Sequence, residues 1–589
     1  MAYPQLFPWP SRPIARLLRL LDRKRQQRPF SVRPQLEALE TRIVPSTYTL
    51  PLVNQTGLNS TQESVYVLGF STASQMELQS NGQFAPFSAP SGTIPSYDIR
   101  TLPSLTLDSA TPLIGARLYF FVAPPNMAPT FTYSDNGRNV VQPTNPPNSN
   151  YPPFDIVEIT QPPGGGLPVI DVQTVDGFIF PLTLTLNNSL GQVGQPNPNP
   201  AVNRADILAA YKPFMDGQGA AGAPYQDLLF APNSIAGQAG GIVNPGRFLA
   251  SGANAGSALN NVWNSDLNTL FATPGRTLSM IGDDGAYYQG TPTQVSLSGS
   301  SYSVLHFVGY SDAAETNPNG NVFNIFSPLT RDPAGPYQAN ESAGEMVFAN
   351  DGVFNDASPN VLIKTNSGPV SSTSVVLGLE RDLVAALNRG VAVLGPTDGL
   401  NGDDSTYWAT QTNWYPAGQT ANLFSLFMHT ATVNGTPIFA LPNNAVNDAQ
   451  GMKMASAYGF AFDETPNHGP AGQPTVPSKF DPVPTGTNTI TITLGPWFRP
   501  ALATLPPPSS GSSSSSSGAS QMQLREVALE ALFMAEGIFT ENGLLAGLGL
   551  VGYRNEILGL PTDVQSQLRT TLIHNVFLDL VLLNLNGSA

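Results

Sequence analysis

Two carboxylates stand out because of the residues around them. Glu158 lies in Phe154-Asp-Ile-Val-Glu-Ile-Thr160, and Asp176 in Thr174-Val-Asp-Gly-Phe-Ile-Phe-Pro181; both stretches are apolar and β-prone. An acid amid Ile, Val and Phe weakens a strand unless its side chain faces a groove or finds a partner. On consecutive strands separated by the turn Gln161-Pro-Pro-Gly-Gly-Gly166, the two could face each other across a cleft. Such a pair is the minimum equipment for glycoside hydrolysis, in which one carboxylic acid protonates the departing oxygen and the other handles water or the anomeric carbon. The competing reading is that both are edge-strand carboxylates pointing to solvent.

Other chemistry is thinly represented. With no cysteine, the chain has no disulfide, zinc-thiolate site, iron–sulfur cluster or thiol nucleophile. His306, His429, His468 and His574 are the four histidines, and they lack metal-ligand spacing. The expectation is therefore no metal and no cofactor. Gly547-Leu-Gly-Leu-Val-Gly552 satisfies a dinucleotide fingerprint only as a string, with no strand before it and no acidic ribose partner after it. Asp398-Gly-Leu-Asn-Gly-Asp-Asp404 reads as a solvated loop rather than a calcium site. His429, in Leu426-Phe-Met-His, reads as a core histidine, and Trp263 and Trp497 as packing residues. Arg389 reads as a helix cap or the holder of a carboxylate. Tyr407-Trp408 and Trp414-Tyr415 sit among Asp, Asn and Thr, the mixture that stacks on sugar faces and hydrogen-bonds hydroxyls.

These residues need a scaffold, and the composition indicates its kind. The chain has 589 residues, 54 of them Gly and 56 Pro, and only 11% are charged, yet 41% are hydrophobic. That combination suits a large core cut by many turns, hence a β-rich α+β architecture. Residues 47–190 read as strands, among them Val65–Phe70, Leu118–Val122 and Phe180–Leu186. Residues 191–505 read as a mixed α/β lobe, with helices over Val202–Tyr211, Leu259–Leu270 and Val375–Leu387 and a strand at Tyr302–Val308; the strand reading resumes at Thr487–Leu494. Residues 506–520 form a Pro/Ser linker, and 521–589 have the periodicity of a helical module of unknown role.

Residues 1–46 have the composition of a disordered basic leader. Nine basic against three acidic residues in 1–45 give +6, so the remainder carries 17 basic and 38 acidic side chains within a net charge of −15. An acidic body repels phosphate backbones, so nucleic acid is not an expected partner. No apolar run reaches the roughly 18 residues of a transmembrane span. Arg33-Pro-Gln-Leu-Glu-Ala-Leu-Glu-Thr-Arg-Ile-Val-Pro-Ser46 resembles a leader tag of exported planctomycete proteins, which implies an extracellular or cell-surface location.

Several stretches, in order, resemble glycoside hydrolase family 64, the β-1,3-glucanases. Val65-Tyr-Val-Leu-Gly-Phe70 opens the series, and Ile114-Gly-Ala-Arg-Leu-Tyr-Phe-Phe121 is similar to the family's Gly-Arg-Ile-Tyr-Phe strand. Phe154-Asp-x-x-Glu158-x-Thr160 and Val175-Asp176-Gly-Phe-Ile-Phe-Pro-Leu182 resemble its two carboxylate segments. Asn260-Asn-Val-Trp263, Met346–Phe354 as a strand-turn, Ala385-Ala-Leu-Asn-Arg389-Gly, Asn422–His429 and Tyr458-Gly-Phe-Ala-Phe-Asp463-Glu464 continue the likeness, which spans roughly residues 60–496.

The resemblance implies a thaumatin-like β-barrel or sandwich lobe and a mixed α/β lobe flanking a wide groove that takes β-1,3-glucan. It also implies inversion, with Glu158 as general acid and Asp176 as general base, a geometry that needs the carboxyls roughly 6.5–9.5 Å apart. Thr160, Gln173, Thr174, Trp408, Trp414, Asp463 and Glu464 are the expected substrate contacts. The family's polar residues before the base become Asp171 and Val172 here, and 191–257 and 433–457 read as enlarged loops. Those departures favour the alternative of a non-catalytic glucan-binding or cell-envelope protein, with residues 521–589 as a route to an envelope partner.

Overall fold

The computed structural model describes residues 47–497 except 59–62, 110, 126, 143–151, 153, 164–165, 180, 188–191, 195–201, 231–239, 251–253, 298, 331–340, 356–372, 393–403, 443–444, 464, 467–478 and 481. The chain divides into residues 1–44 and 45–589. The leader, linker and helical-module expectations, together with the Gly547–Gly552 string and Glu464, lie outside the described residues.

The architecture is β-rich with a set of helices. Two sheets pack face to face. One has eight strands, running from Lys479–Phe480 through Val169–Gln173, Phe154–Gln161, Leu113–Ala123, Ser64–Ser71 and Met76–Leu78 to Phe84–Pro86, with Tyr97–Asp98 also pairing on Ser64–Ser71. The other has five, in the order Gln192–Gly194, Leu182–Leu186, Ile490–Leu494, Thr47–Asn54 and Ser104–Asp108. Alternation along each strand sends one set of apolar residues into the space between the sheets. Leu118, Phe120, Val157, Ile159, Ile170 and Val172 meet Leu50, Leu105, Leu184 and Ile492 there. Ile490–Leu494 enters the five-stranded sheet parallel to Thr47–Asn54, so the end of the described chain completes a sheet begun at its start.

The opposite face of the eight-stranded sheet changes character along its length. At one end a three-stranded sheet (Gly92–Pro95, Thr130–Ser134, Asn139–Val141) covers it through an aromatic cluster of Phe70, Tyr119, Phe121, Phe131, Tyr133 and Phe154. Two residues before Tyr119 on the same face comes Arg117, and two residues after Ile156 comes Glu158. The cover thus gives way to charged side chains.

A second core gathers helices around an antiparallel sheet of Leu278–Ile281, Tyr287–Leu297, Ser300–Tyr310 and Pro318–Phe326. The helical period read over 202–211 becomes Arg204–Gly217, capped by the Asn203 side chain on the Asp206 N–H. That over 375–387 becomes Thr373–Asn388, and Asn422 caps Leu423–Thr430. Asn388 ties three helices together, donating to the carbonyls of Val347 and Val384 while its own oxygen accepts from Asn422. The stretch Met346–Phe354 is a correction: it lies in the helix Ala343–Ala349 and the 3-10 turn Gly352–Phe354, not in a strand-turn. Ser342 caps that helix on Glu345, and a short apolar run cannot by itself distinguish a buried helix from a strand. Trp263 and Trp497 are buried, as their patterned contexts suggested. Among the described residues no helix is long and apolar enough to cross a membrane.

Candidate active site

Glu158 sits in the centre of the strand Phe154–Gln161, paired with Arg117 on one neighbouring strand and Asp171 on the other. Residues directly opposite on one face have Cβ atoms about 5 Å apart. Glu158 is therefore flanked by a cation and an anion. Its Oε2 accepts from Arg117 Nε at 3.3 Å and from Gln173 Nε2 at 3.0 Å. The side chain keeps 26% of its exposure, against 34% for Arg117. Arg117 Nη1 also donates to Gln142 Oε1 at 3.1 Å, an oxygen that accepts from the Tyr119 hydroxyl at 2.6 Å. Burial works against the Arg117 cation, yet Tyr119, Glu158 and Asp176 together hold its pKa above the ordinary arginine value. Burial, reinforced by the charge of Asp176, pushes the Tyr119 phenol up. Arg117 and Tyr119 thus both lie within electrostatic reach of Asp176.

Beside Glu158 the neighbouring strand bulges. The register shifts between Ile159 and Gln161 opposite Ile114–Gly115, and Gly115 has φ +56°. A bulge leaves backbone groups off the ladder. Here hydroxyls satisfy them: Ser71 donates to the Ile114 carbonyl, Ser74 accepts the Ile114 N–H, and Thr160 accepts the Gly115 N–H at 3.0 Å. Thr160, an expected substrate contact, thus holds the strand beside Glu158.

Asp176 is not on a strand, which corrects the two-strand picture. It occupies the turn between Val169–Gln173 and Gly177–Phe178. The reason is Gly177, whose φ of +147° breaks the strand and whose absent Cβ would stand 2.4 Å from the Ile242 carbonyl oxygen. Gly177 pairs with Val243, and the Asp176 carbonyl accepts from Asn244 N–H at 3.2 Å. The turn is tied back to the Glu158 strand by buried Asp155, whose carboxylate accepts the Ile179 N–H at 3.1 Å. Arg204, pushed down to about 10 by burial despite the charge of Asp155, donates to the Ile179 carbonyl at 2.5 Å. The Asp176 carboxylate, 13% exposed, forms an ion pair through Oδ1 with Nε of Arg247.

These contacts make a strong prediction. A methyl at Gly177 would both disfavour its backbone conformation and overlap the Ile242 carbonyl. Gly177→Ala is expected to cost about 1–3 kcal/mol in stability, read from the denaturant midpoint, and to disorder the Asp176 turn; an unchanged midpoint would count against this account.

Four expected sugar contacts are corrected by burial. Thr174 is 2% exposed, with its hydroxyl donated to the Tyr458 carbonyl at 2.5 Å. Trp408 and Trp414 are buried at 0% and 2%; Trp414 Nε1 donates to the Trp408 carbonyl, and the Arg389 guanidinium lies 3.6 Å over the Trp414 ring. Asp463 is fully buried, accepting from Arg389 Nη2 at 3.1 Å, His429 Nε2 at 2.8 Å and Gly459 N–H at 2.8 Å. Arg389 thus holds a carboxylate, and His429 is a core histidine. Its Nδ1 faces the Ala455 carbonyl, so both ring nitrogens are engaged. Gln173 reaches Glu158 as described. Among the described residues no group of three or more His, Asp or Glu is placed to hold a metal ion.

The carboxylates, their arginines and the bulge all fall between residues 114 and 247. Residues 46–280 match the family model Glyco_hydro_64, β-1,3-glucanase. The matched residues include both Glu158 and Asp176. Arg389, His429 and Asp463 lie beyond the matched residues. No curated protein matches the chain. Solved structures similar to it include the following three. A laminaripentaose-producing β-1,3-glucanase in complex with laminaritetraose is 18% identical, with 77% of this chain and 99% of that chain covered at a TM-score of 0.46. A β-1,3-glucanase domain from Clostridium beijerinckii is 17% identical, covering 76% and 98% at 0.44. A laminaripentaose-producing β-1,3-glucanase from Paenibacillus barengoltzii is 15% identical, covering 78% of each chain at 0.38.

Sequence reasoning missed Arg117 and Arg247 as partners of the two carboxylates. Asn244-Pro-Gly-Arg247 carried a helix-start signal, an Asn cap followed by Pro, that places Arg247 in the first turn of Pro245–Leu249. Gly115 inside a strand pattern was also a readable sign of a bulge.

Proposed function

We propose that the protein hydrolyses β-1,3-glucan by an inverting two-carboxylate mechanism, with Glu158 as general acid and Asp176 as general base. The observation that carries this reading is the β-1,3-glucanase match over 46–280, which includes both carboxylates. The geometry supports it: each carboxylate is oriented by an arginine, and Arg117 feels the charge of both. In the reaction, Glu158 gives its proton to the departing glycosidic oxygen as the C1–O bond breaks. Asp176 removes a proton from the water that attacks C1 from the opposite face. The proposal includes the thaumatin-like arrangement of the first lobe and export to the cell exterior, the latter resting on the resemblance of Arg33–Ser46 to a leader tag of exported proteins.

The test is laminarin digestion followed by proton NMR during the first minutes. The expected first product carries the α-anomeric signal, because inversion of a β-bond gives α. A folded protein inert on both laminarin and curdlan overturns the reading, and an initial β-anomer overturns the inverting mechanism. The alternative of a non-catalytic glucan-binding or envelope protein is favoured by one observation: Asp176 is already ion-paired to Arg247. Retention on a curdlan column without hydrolysis would select it.

A further inference from the structure

The hydrogen bonds of Glu158 are unequal. Oε2 accepts two N–H groups, from Arg117 and Gln173, whereas Oε1 lies over the bare Cα of Gly115, where a built Cβ would stand 3.8 Å away and meet nothing else within 4 Å. An oxygen that already accepts two N–H bonds is the poorer seat for a proton, because the proton would compete with those donors for its lone pairs. We propose that Arg117 is a positioning residue for Glu158, occupying Oε2 together with Gln173 so that the catalytic proton is carried on Oε1, on the side that Gly115 leaves open. This assignment rests on the glucanase reading and deepens it.

The step balances. The proton leaves Oε1 for the glycosidic oxygen as that oxygen takes the C1–O electron pair. The carboxylate left on Glu158 is then met by N–H groups already in place, so little reorganisation accompanies the developing charge. The proton lost by water goes to Asp176, and both groups return to their starting states through solvent. The flanking charges explain why the cation is needed. Glu158 faces Asp171 across one strand pair, Asp176 lies within electrostatic reach of Arg117, and Arg247 is engaged with Asp176. Arg117 is the cation bonded to Glu158 itself.

The test compares wild type with Arg117→Met and Arg117→Lys in the full chain. In Arg117→Met, kcat on laminarin is expected to fall about ten- to hundredfold, within the range a general acid supplies, with KM within about threefold. Losing the cation leaves Glu158 opposite Asp171 alone, so the basic limb of the kcat profile should move up. Arg117→Lys should bring the limb back while recovering only part of kcat, since it restores charge without the forked donor. A readout independent of activity follows the Glu158 carboxyl by carbon-13 NMR, assigned with Glu158→Gln; its midpoint should rise in Arg117→Met. An active wild type whose Glu158 midpoint and basic limb do not move in Arg117→Met overturns this assignment alone. So does a rise confined to KM. A wild type inert on laminarin overturns the glucanase reading and the proton-delivery role with it, even where the NMR midpoint still shows the pairing.

Discussion

Glu158→Gln is expected to lower kcat on laminarin by about 10²–10⁴-fold, the usual contribution of a positioned general acid. The amide retains the shape of the side chain, and its oxygen can still accept from Arg117 and Gln173, so the fold should be unaffected. What it cannot do is deliver a proton to the leaving oxygen. A substrate whose aglycone departs without protonation, such as a dinitrophenyl β-laminarioside, should therefore recover much of the loss. Asp176→Asn should behave differently. Water must be activated whatever the leaving group, so the loss on laminarin and on the activated glycoside should be of similar size. The check is a pair of kcat ratios, laminarin against activated glycoside, for each variant. Equal ratios in the two variants would remove the division of labour between Glu158 and Asp176. Recovery in Asp176→Asn rather than Glu158→Gln would reverse it.

The two carboxylates were visible in the sequence for a physical reason. A strand buried on one face and lined by Ile, Val and Phe has few ways to hold an acid, so Glu158 announced a polar partner on the opposite face. The partner itself was less visible. Arg117 is 41 residues away in sequence, and only the strand register brings it opposite. Asp176 was legible as a candidate but not as a turn residue, because the strand-like text around it gives no hint that Gly177 must avoid the Ile242 carbonyl. Trp408 and Trp414 show the opposite failure. Their Asp, Asn and Thr neighbours suggested an exposed loop, but those polar groups are consumed locally: Asp404 accepts from Thr406, and Asn413 donates to the Tyr407 carbonyl. The helices were readable from their caps and periodicity, whereas the entry of Ile490–Leu494 into the first sheet depends on contacts across most of the chain.

Asp463→Ala is expected to be the most destabilising single change considered, about 3–5 kcal/mol at neutral pH, as is usual when a buried ion pair loses one partner. Asp463 is fully buried, and its removal leaves the Arg389 guanidinium, the His429 ring and the Gly459 N–H without their shared acceptor. Against a total stability of about 5–15 kcal/mol, that loss would be conspicuous in a denaturant titration. Its pH dependence follows from the direction of the shift. Burial acts to raise the Asp463 pKa, but His429, Arg389 and the Gly459 N–H outweigh it and hold the carboxyl below its ordinary value of 3.8. A carboxyl depressed in the folded state contributes its full stabilisation above the unfolded pKa and loses it as pH falls through the folded one. The stability gap between wild type and Asp463→Ala should therefore narrow as pH falls below the ordinary carboxylate range. A gap that widened through that range would mean that the buried carboxyl binds its proton more readily folded than unfolded, contrary to the lowering by His429 and Arg389. The same variant should reach the candidate base. Gly459 follows Tyr458, whose carbonyl receives both the N–H and the hydroxyl of Thr174, two residues before Asp176. Loss of the Asp463 anchor is thus expected to lower kcat as well as stability, whereas a change at Trp263, buried in the second core against Phe348 and bonded to neither Asp463 nor Thr174, should lower stability alone.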